Sequence, residues 1–136
     1  MFGGMSASDI IPAHLIPLLE APNYAFLGTI RPDDTVQVNP MWFDFDGETL
    51  RFTHTRSRAK YRNLQHNPSM SLAIINDENV LNYVEVRGTL IEVVPDPTGA
   101  YYVHLAKRYG ATDPQPPSDS PDRVILVMSI EHYTTQ

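Results

Sequence analysis

The sequence predicts a small antiparallel β-barrel carrying two or three short helices, a mainly β fold of the α+β class. Three observations predict it. Short β-prone runs recur along the chain, most of them closed by a turn signal. Several of those turns are tight enough for hairpins, which join antiparallel neighbours. Only residues 97–109 read as a helix long enough to leave the sheet and return.

The elements follow in order. Residues 10–20 hold Leu15, Ile16, Leu18 and Leu19, interrupted by Pro12 and Pro17. Proline is tolerated in a first helical turn and not deeper, so this helix is brief and covers 17–21. Residues 24–30 form a strand that ends in the turn Arg31-Pro32-Asp33-Asp34. Residues 36–45 form the second strand, with Gln37 and Asn39 on one face. Pro40 cannot donate to a ladder, which puts an edge or bulge there. Asp46-Gly47 marks a hairpin, and residues 50–55 are the returning partner. A short helix covers 57–65 and stops at Asn67-Pro68. Residues 70–75 and 81–94 are strands joined by the polar turn 76–79, the longer one bent at Gly88. Gly110 sits where the C′ residue of the 97–109 helix belongs. Four prolines in 111–121 make a rigid surface loop, and 123–130 is the sixth and last strand.

With 136 residues, 42% hydrophobic and 19% charged, the chain reads as one globular domain over 1–136. Its parts are an N-terminal helical segment (1–21), a barrel (22–130) and the Pro-rich loop within it. The absence of cysteine excludes disulfides, thiolate metal sites and a thiol nucleophile, and a reducing cytoplasm is the expected location. The longest uninterrupted apolar run, 124–128, is too short to span a bilayer. Met1-Phe2-Gly3-Gly4-Met5 lacks the basic and apolar regions of a signal peptide. A net charge of −6 argues against a nucleic-acid partner, which needs a broad basic face. His14, His66, His104 and His132 have no metal-type spacing, so no metal is expected. Nucleotide-loop and hydrolase-elbow patterns are missing.

Against this acidic background, four of the ten basic residues fall within seven positions: Arg56, Arg58, Lys60 and Arg62. No Asp or Glu lies between Glu48 and Asp77. Basic side chains at a helix start oppose the helix dipole, and a bound phosphate reverses that penalty. The cluster is either such an anion site or a solvated helix face. By alternation His54 faces away from Thr53 and Thr55, as a core or interface histidine.

The stretches 22–33, 36–44, Arg58-Ala59-Lys60-Tyr61-Arg62-Asn63-Leu64 and Tyr83-Val84-Glu85-Val86-Arg87-Gly88 stand in an order that resembles the flavin/deazaflavin oxidoreductase superfamily. These are split β-barrels of the FMN-binding kind, related to pyridoxamine 5′-phosphate oxidase, and the chain looks most like the short branch that uses coenzyme F420. The resemblance implies about six antiparallel strands and a homodimer with cofactor at the subunit interface. It implies hydride transfer from the reduced deazaflavin to an unsaturated or electron-poor small molecule. Carried over by motif, Arg58 and Lys60 hold the cofactor phosphate, and Thr53 and Thr55 add hydroxyl donors. Gln37, Asn39 and Trp42 lie along or near the groove that takes the ring system, Gln37 and Asn39 being otherwise ordinary outward strand residues, and Trp42 a stacking surface or a structural plug. Tyr83 matches an aromatic position near the site. Relatives often read Tyr-Arg-Tyr where this chain reads Leu81-Asn82-Tyr83, and Arg56 and Arg62 are the substitutes for the missing basic contact. No residue is required as acid or base, so none is assigned to catalysis. Tyr109 is a packing residue or lines the substrate mouth, and the 111–121 loop is expected to cover the groove. An FMN-dependent enzyme or FMN-binding protein, a non-enzymatic cofactor carrier and a haem-handling relative are the alternatives. The last needs an axial histidine, and only His54 is near.

Overall fold

A computed structural model describes residues 6–136. The expectation concerning residues 1–5 lies outside the described part.

Strand β1 (Tyr24–Ile30) and strand β2 (Val36–Pro40) form the first hairpin, in register from Ile30↔Val36 to Phe26↔Pro40. Its turn is held by the Asp33 carboxylate, which accepts from the Thr35 N–H at 3.0 Å and the Thr35 hydroxyl at 2.6 Å. The predicted 36–45 strand breaks in two. Pro40, on the edge strand, faces Phe26 in a pair that needs no N–H from it, and the ladder ends one bond later, where the Met41 N–H donates to the Ala25 carbonyl at 2.9 Å. The chain then crosses to the other half of the barrel, where β3 (Asp44–Phe45) pairs with β4 (Leu50–Thr55). Asp46 closes that hairpin by accepting from the Glu48 and Thr49 N–H groups, and Gly47 takes φ +95°.

Helix α2 (Ala59–His66) follows, then β5 (Ser69–Asn76) and the long β6 (Asn79–Pro95). Strand β6 serves two neighbourhoods. Its first part pairs with β5 and with β8 (His132–Thr135), and its second part with β7 (Arg123–Met128). Gly88 lies where these parts meet, and a Cβ there would stand 1.9 Å from the Ser129 carbonyl oxygen. The predicted bend thus has a steric cause. Among the described residues eight strands result, in the order β2-β1-β5-β6-β7-β4-β3 with β8 beside β6, rather than six. The two additions are the split-off β3 and the short polar β8, which lies beyond the run 123–130.

Helix α1 (Ile16–Glu20) is brief, as its prolines require, and buries Leu18 and Leu19. Helix α3 (Ala100–Arg108) lies between Gly99 at φ +73° and Gly110 at φ +92°. The core gathers Leu19, Leu27, Phe43, Phe52, Leu72, Ile74, Val84 and Leu126, all fully buried. Each such side chain contributes about 1.5–3 kcal/mol by leaving water. No helix among the described residues is long and apolar enough to cross a membrane.

Candidate functional site

A cavity of about 620 Å³ opens where the two halves of the barrel part. One side is built by the chain that leaves β2 after Pro40 and presents Met41 and Trp42. The Trp42 ring stacks on Tyr109 with centroids 5.7 Å apart at 17°, and tilts against Tyr102 at 5.6 Å. Tyr109 is itself fixed, since its hydroxyl donates to the Asn23 carbonyl at 2.9 Å and accepts from the Phe43 N–H at 3.3 Å. Arg108 donates to the carbonyls of Phe43, Glu20 and Ala21, tying this shelf to α1.

The wall is also cationic. Arg58, Lys60 and Arg123 stand in the wall, and no carboxylate does. Arg58 is the residue that caps α2, in an extended conformation, and Lys60 follows in the first turn. Lys60 Nζ donates to Asn39 Oδ1 at 3.2 Å, and Gln37 Nε2 donates to the same oxygen at 2.9 Å. Asn63 completes the relay, donating to Gln37 Oε1 at 2.9 Å and to the Thr29 hydroxyl at 3.1 Å. Burial, and next the charge of Arg58, lowers the Lys60 pKa from its ordinary value. Arg123 donates to the Thr53 hydroxyl at 3.1 Å, and its guanidinium lies 4.8 Å over the Tyr102 ring.

His54 also lines the cavity. Its pKa is pushed down to about 4, first by burial and then by Lys60, Arg58 and Arg123. Its Nε2 is buried without a hydrogen-bond partner among the described residues. His54 is 3% exposed, the core histidine that alternation predicts, and it still counts among the residues that line the cavity.

The donor set suits a planar group with an anionic tail: an aromatic shelf, and cations in a wall that holds no carboxylate. Of the residues singled out from sequence, Asn39, Trp42, Thr53, Arg58 and Lys60 come together in the wall. Gln37 stands one step behind, holding Asn39. Thr55 is buried outside the wall, and its carbonyl accepts from the Arg58 N–H at 3.4 Å. Arg56 and Arg62 are exposed and outside the wall, Arg62 donating to the Ser57 carbonyl at 2.9 Å. Tyr83 is half-buried on β6 opposite Ile75, also outside it.

Arg123 and Tyr102 escaped the sequence reading because nothing near them in the chain marks a site; pairing of β4 with β7 brings Arg123 in. The 111–121 loop contributes no residue to the wall. It packs instead on Gly99, where a Cβ would meet Ser120 Oγ at 2.5 Å and Pro116 and Pro117 at 3.2 Å.

A family model described as Pyridoxamine 5′-phosphate oxidase matches residues 11–136. A solved structure named as an F420 reductase is 48% identical with a TM-score of 0.89, the match covering 93% of this chain and 100% of that one. General Stress Protein 26 of Bacillus anthracis is similar in fold at 18% identity and TM-score 0.67, over 88% of each chain. So is a conserved hypothetical protein of Mycobacterium tuberculosis, at 22% identity and TM-score 0.68, over 93% of this chain and 85% of that one. No curated protein matches the sequence.

Proposed function

Because the chain belongs to the pyridoxamine 5′-phosphate oxidase family, we propose that it is an oxidoreductase that takes coenzyme F420 in this cavity. The reduced cofactor would serve an unsaturated or electron-poor small molecule lying over its ring. The observation that carries the reading is the wall itself, three cations and no carboxylate together with an aromatic shelf. A deazaflavin has the matching anatomy, a planar ring and a phosphate-bearing anionic tail. The 48% identity to a structure named as an F420 reductase supports this cofactor over FMN.

When bound, the deazaflavin supplies hydride chemistry, its ring carrying carbon where a flavin carries reactive nitrogen. This chain's residues bind and orient. Arg58 offers a planar fork for phosphate, and Lys60 a point charge aimed by Asn39. Trp42, backed by Tyr109, presents a flat apolar surface of set tilt. His54, with its pKa pushed down to about 4, is neutral at pH 7 and adds no charge to the wall. No residue of the wall is assigned as proton donor, and solvent would supply the proton that the reduction needs. A second copy of the chain closes the groove, since a barrel this small cannot enclose a tricyclic ring.

The test is a fluorescence titration of cofactor-stripped protein with F420 and, separately, FMN. We expect F420 to bind and the Arg58→Ala/Lys60→Ala double variant to lose about a hundredfold, two charge-assisted contacts at about 1.5 kcal/mol each. Preference for FMN moves the protein to the flavin users, and binding of neither removes the reading. Binding without turnover of any quinone, nitro compound or enone identifies a carrier.

A further inference from the structure

The basic cluster, free of acids along the chain, is not free of them in space. Asp119 reaches it from the Pro-rich loop. Its Oδ1 accepts from Arg123 Nε at 3.0 Å, and its Oδ2 lies 3.4 Å from Arg123 Nη2 and 3.9 Å from Arg58 Nη2. Asp119 is not part of the cavity wall and stands behind the two cations.

The two pairs are unequal. The Arg123 side chain is 7% exposed, is also held by Thr53, and lies over Tyr102. Removing its carboxylate would leave a buried charge uncompensated. The Arg58 side chain is 60% exposed, and its contact stands near the limit of an ion pair. Such surface pairs contribute little and yield readily to a better partner. An anion entering the cavity therefore competes with Asp119 for Arg58 and leaves Arg123 where it is.

We infer that Asp119 is the resident counter-ion of the anion cradle, a positioning residue that holds Arg123 permanently and holds Arg58 until an anionic ligand takes it over. The inference rests on the reading of this cavity as a cofactor site. It makes Asp119 a determinant of affinity: each ligand must displace it from Arg58, so weakly charged anions are held less well than phosphate.

Calorimetric titration with inorganic phosphate tests this on the wild type, Asp119→Asn, Arg58→Ala and the double variant. Asp119→Asn should bind phosphate about fivefold tighter, and the gain should vanish in the Arg58→Ala background. An equal gain in both backgrounds overturns the proposal, because Asp119 would then act without Arg58. Unchanged affinity in Asp119→Asn, with binding weakened in Arg58→Ala, overturns it while leaving the cofactor reading intact. Failure of every form to bind phosphate or F420 overturns both. Asp119→Asn also exposes Arg123 to misfolding, so a crystal structure of the wild type with phosphate gives an independent answer. Arg58 on the phosphate with Arg123 still on Asp119 supports the proposal, and Arg58 still on Asp119 overturns it.

Discussion

Arg58 and Lys60 stand two positions apart and are held in different ways. The Lys60 ammonium is half-buried and aimed by Asn39, which Gln37 and Asn63 hold in turn. Arg58 is exposed and loosely paired. His54, on β4 and in the same cavity wall as this pair, carries a pH signature. Its folded pKa is about 4 against an ordinary 6.5, so between these values the unfolded chain binds more protons. Stability therefore rises with pH through that window, is complete above it, and has fallen by about 3 kcal/mol at its acid end. Urea unfolding at pH 7 and pH 4.5 measures this. His54→Gln should lose much of the difference, and an unaltered difference would assign the acid sensitivity to carboxylates such as Asp33 and Asp46, whose pKa values hydrogen bonds hold low.

Among the elements, β6 does the most to shape the molecule, because it passes from one half of the barrel to the other. The passage needs the backbones of Gly88 and Ser129 in contact, at a distance no side chain permits. Gly88→Ala should cost about 3 kcal/mol through overpacking. Gly28 is the control on the same sheet. A Cβ there meets Ser71 at 3.7 Å, an ordinary contact, so Gly28→Ala should be neutral or slightly stabilising. Thermal unfolding of the two variants separates a steric requirement from a general effect of glycine replacement. Pro40 is the other decisive residue at this scale. It stands near the end of the edge strand, and the chain beyond it, after one more bond from the Met41 N–H to the Ala25 carbonyl at 2.9 Å, brings Met41 and Trp42 into the cavity wall.

For the whole molecule, one feature bears on assembly. Tyr24, Phe26, Val36 and Val38 are large, apolar and exposed, and they lie together on the outer face of the β1–β2 hairpin. Tyr24 and Phe26 also line the cavity, so a second copy seated on this face would close the groove as well as cover the patch. Under the proposed homodimer, Val38→Glu yields a monomer by analytical ultracentrifugation, with an unchanged circular dichroism spectrum and weakened F420 binding. A variant that stays dimeric places the interface elsewhere.

Six strand segments in chain order, the three hairpin turns, the Pro40 edge and the Gly88 bend were legible in the chain. Each depends on local periodicity, on turn chemistry or on a proline or glycine whose constraint is intrinsic. The anion-binding end was legible through Arg58 and Lys60 because they are adjacent in sequence and resemble a known motif. Tertiary structure decided the rest. It split the second strand, added β8 beside β6, and drew His54, Tyr102 and Arg123 to the same wall as Asn39. It also set Asp119 and Asp122 against the basic cluster, Asp122 accepting from the Ser57 N–H at 3.1 Å. Those partners are distant in the chain and meet only through the pairing of β4 with β7, a register that no local pattern encodes.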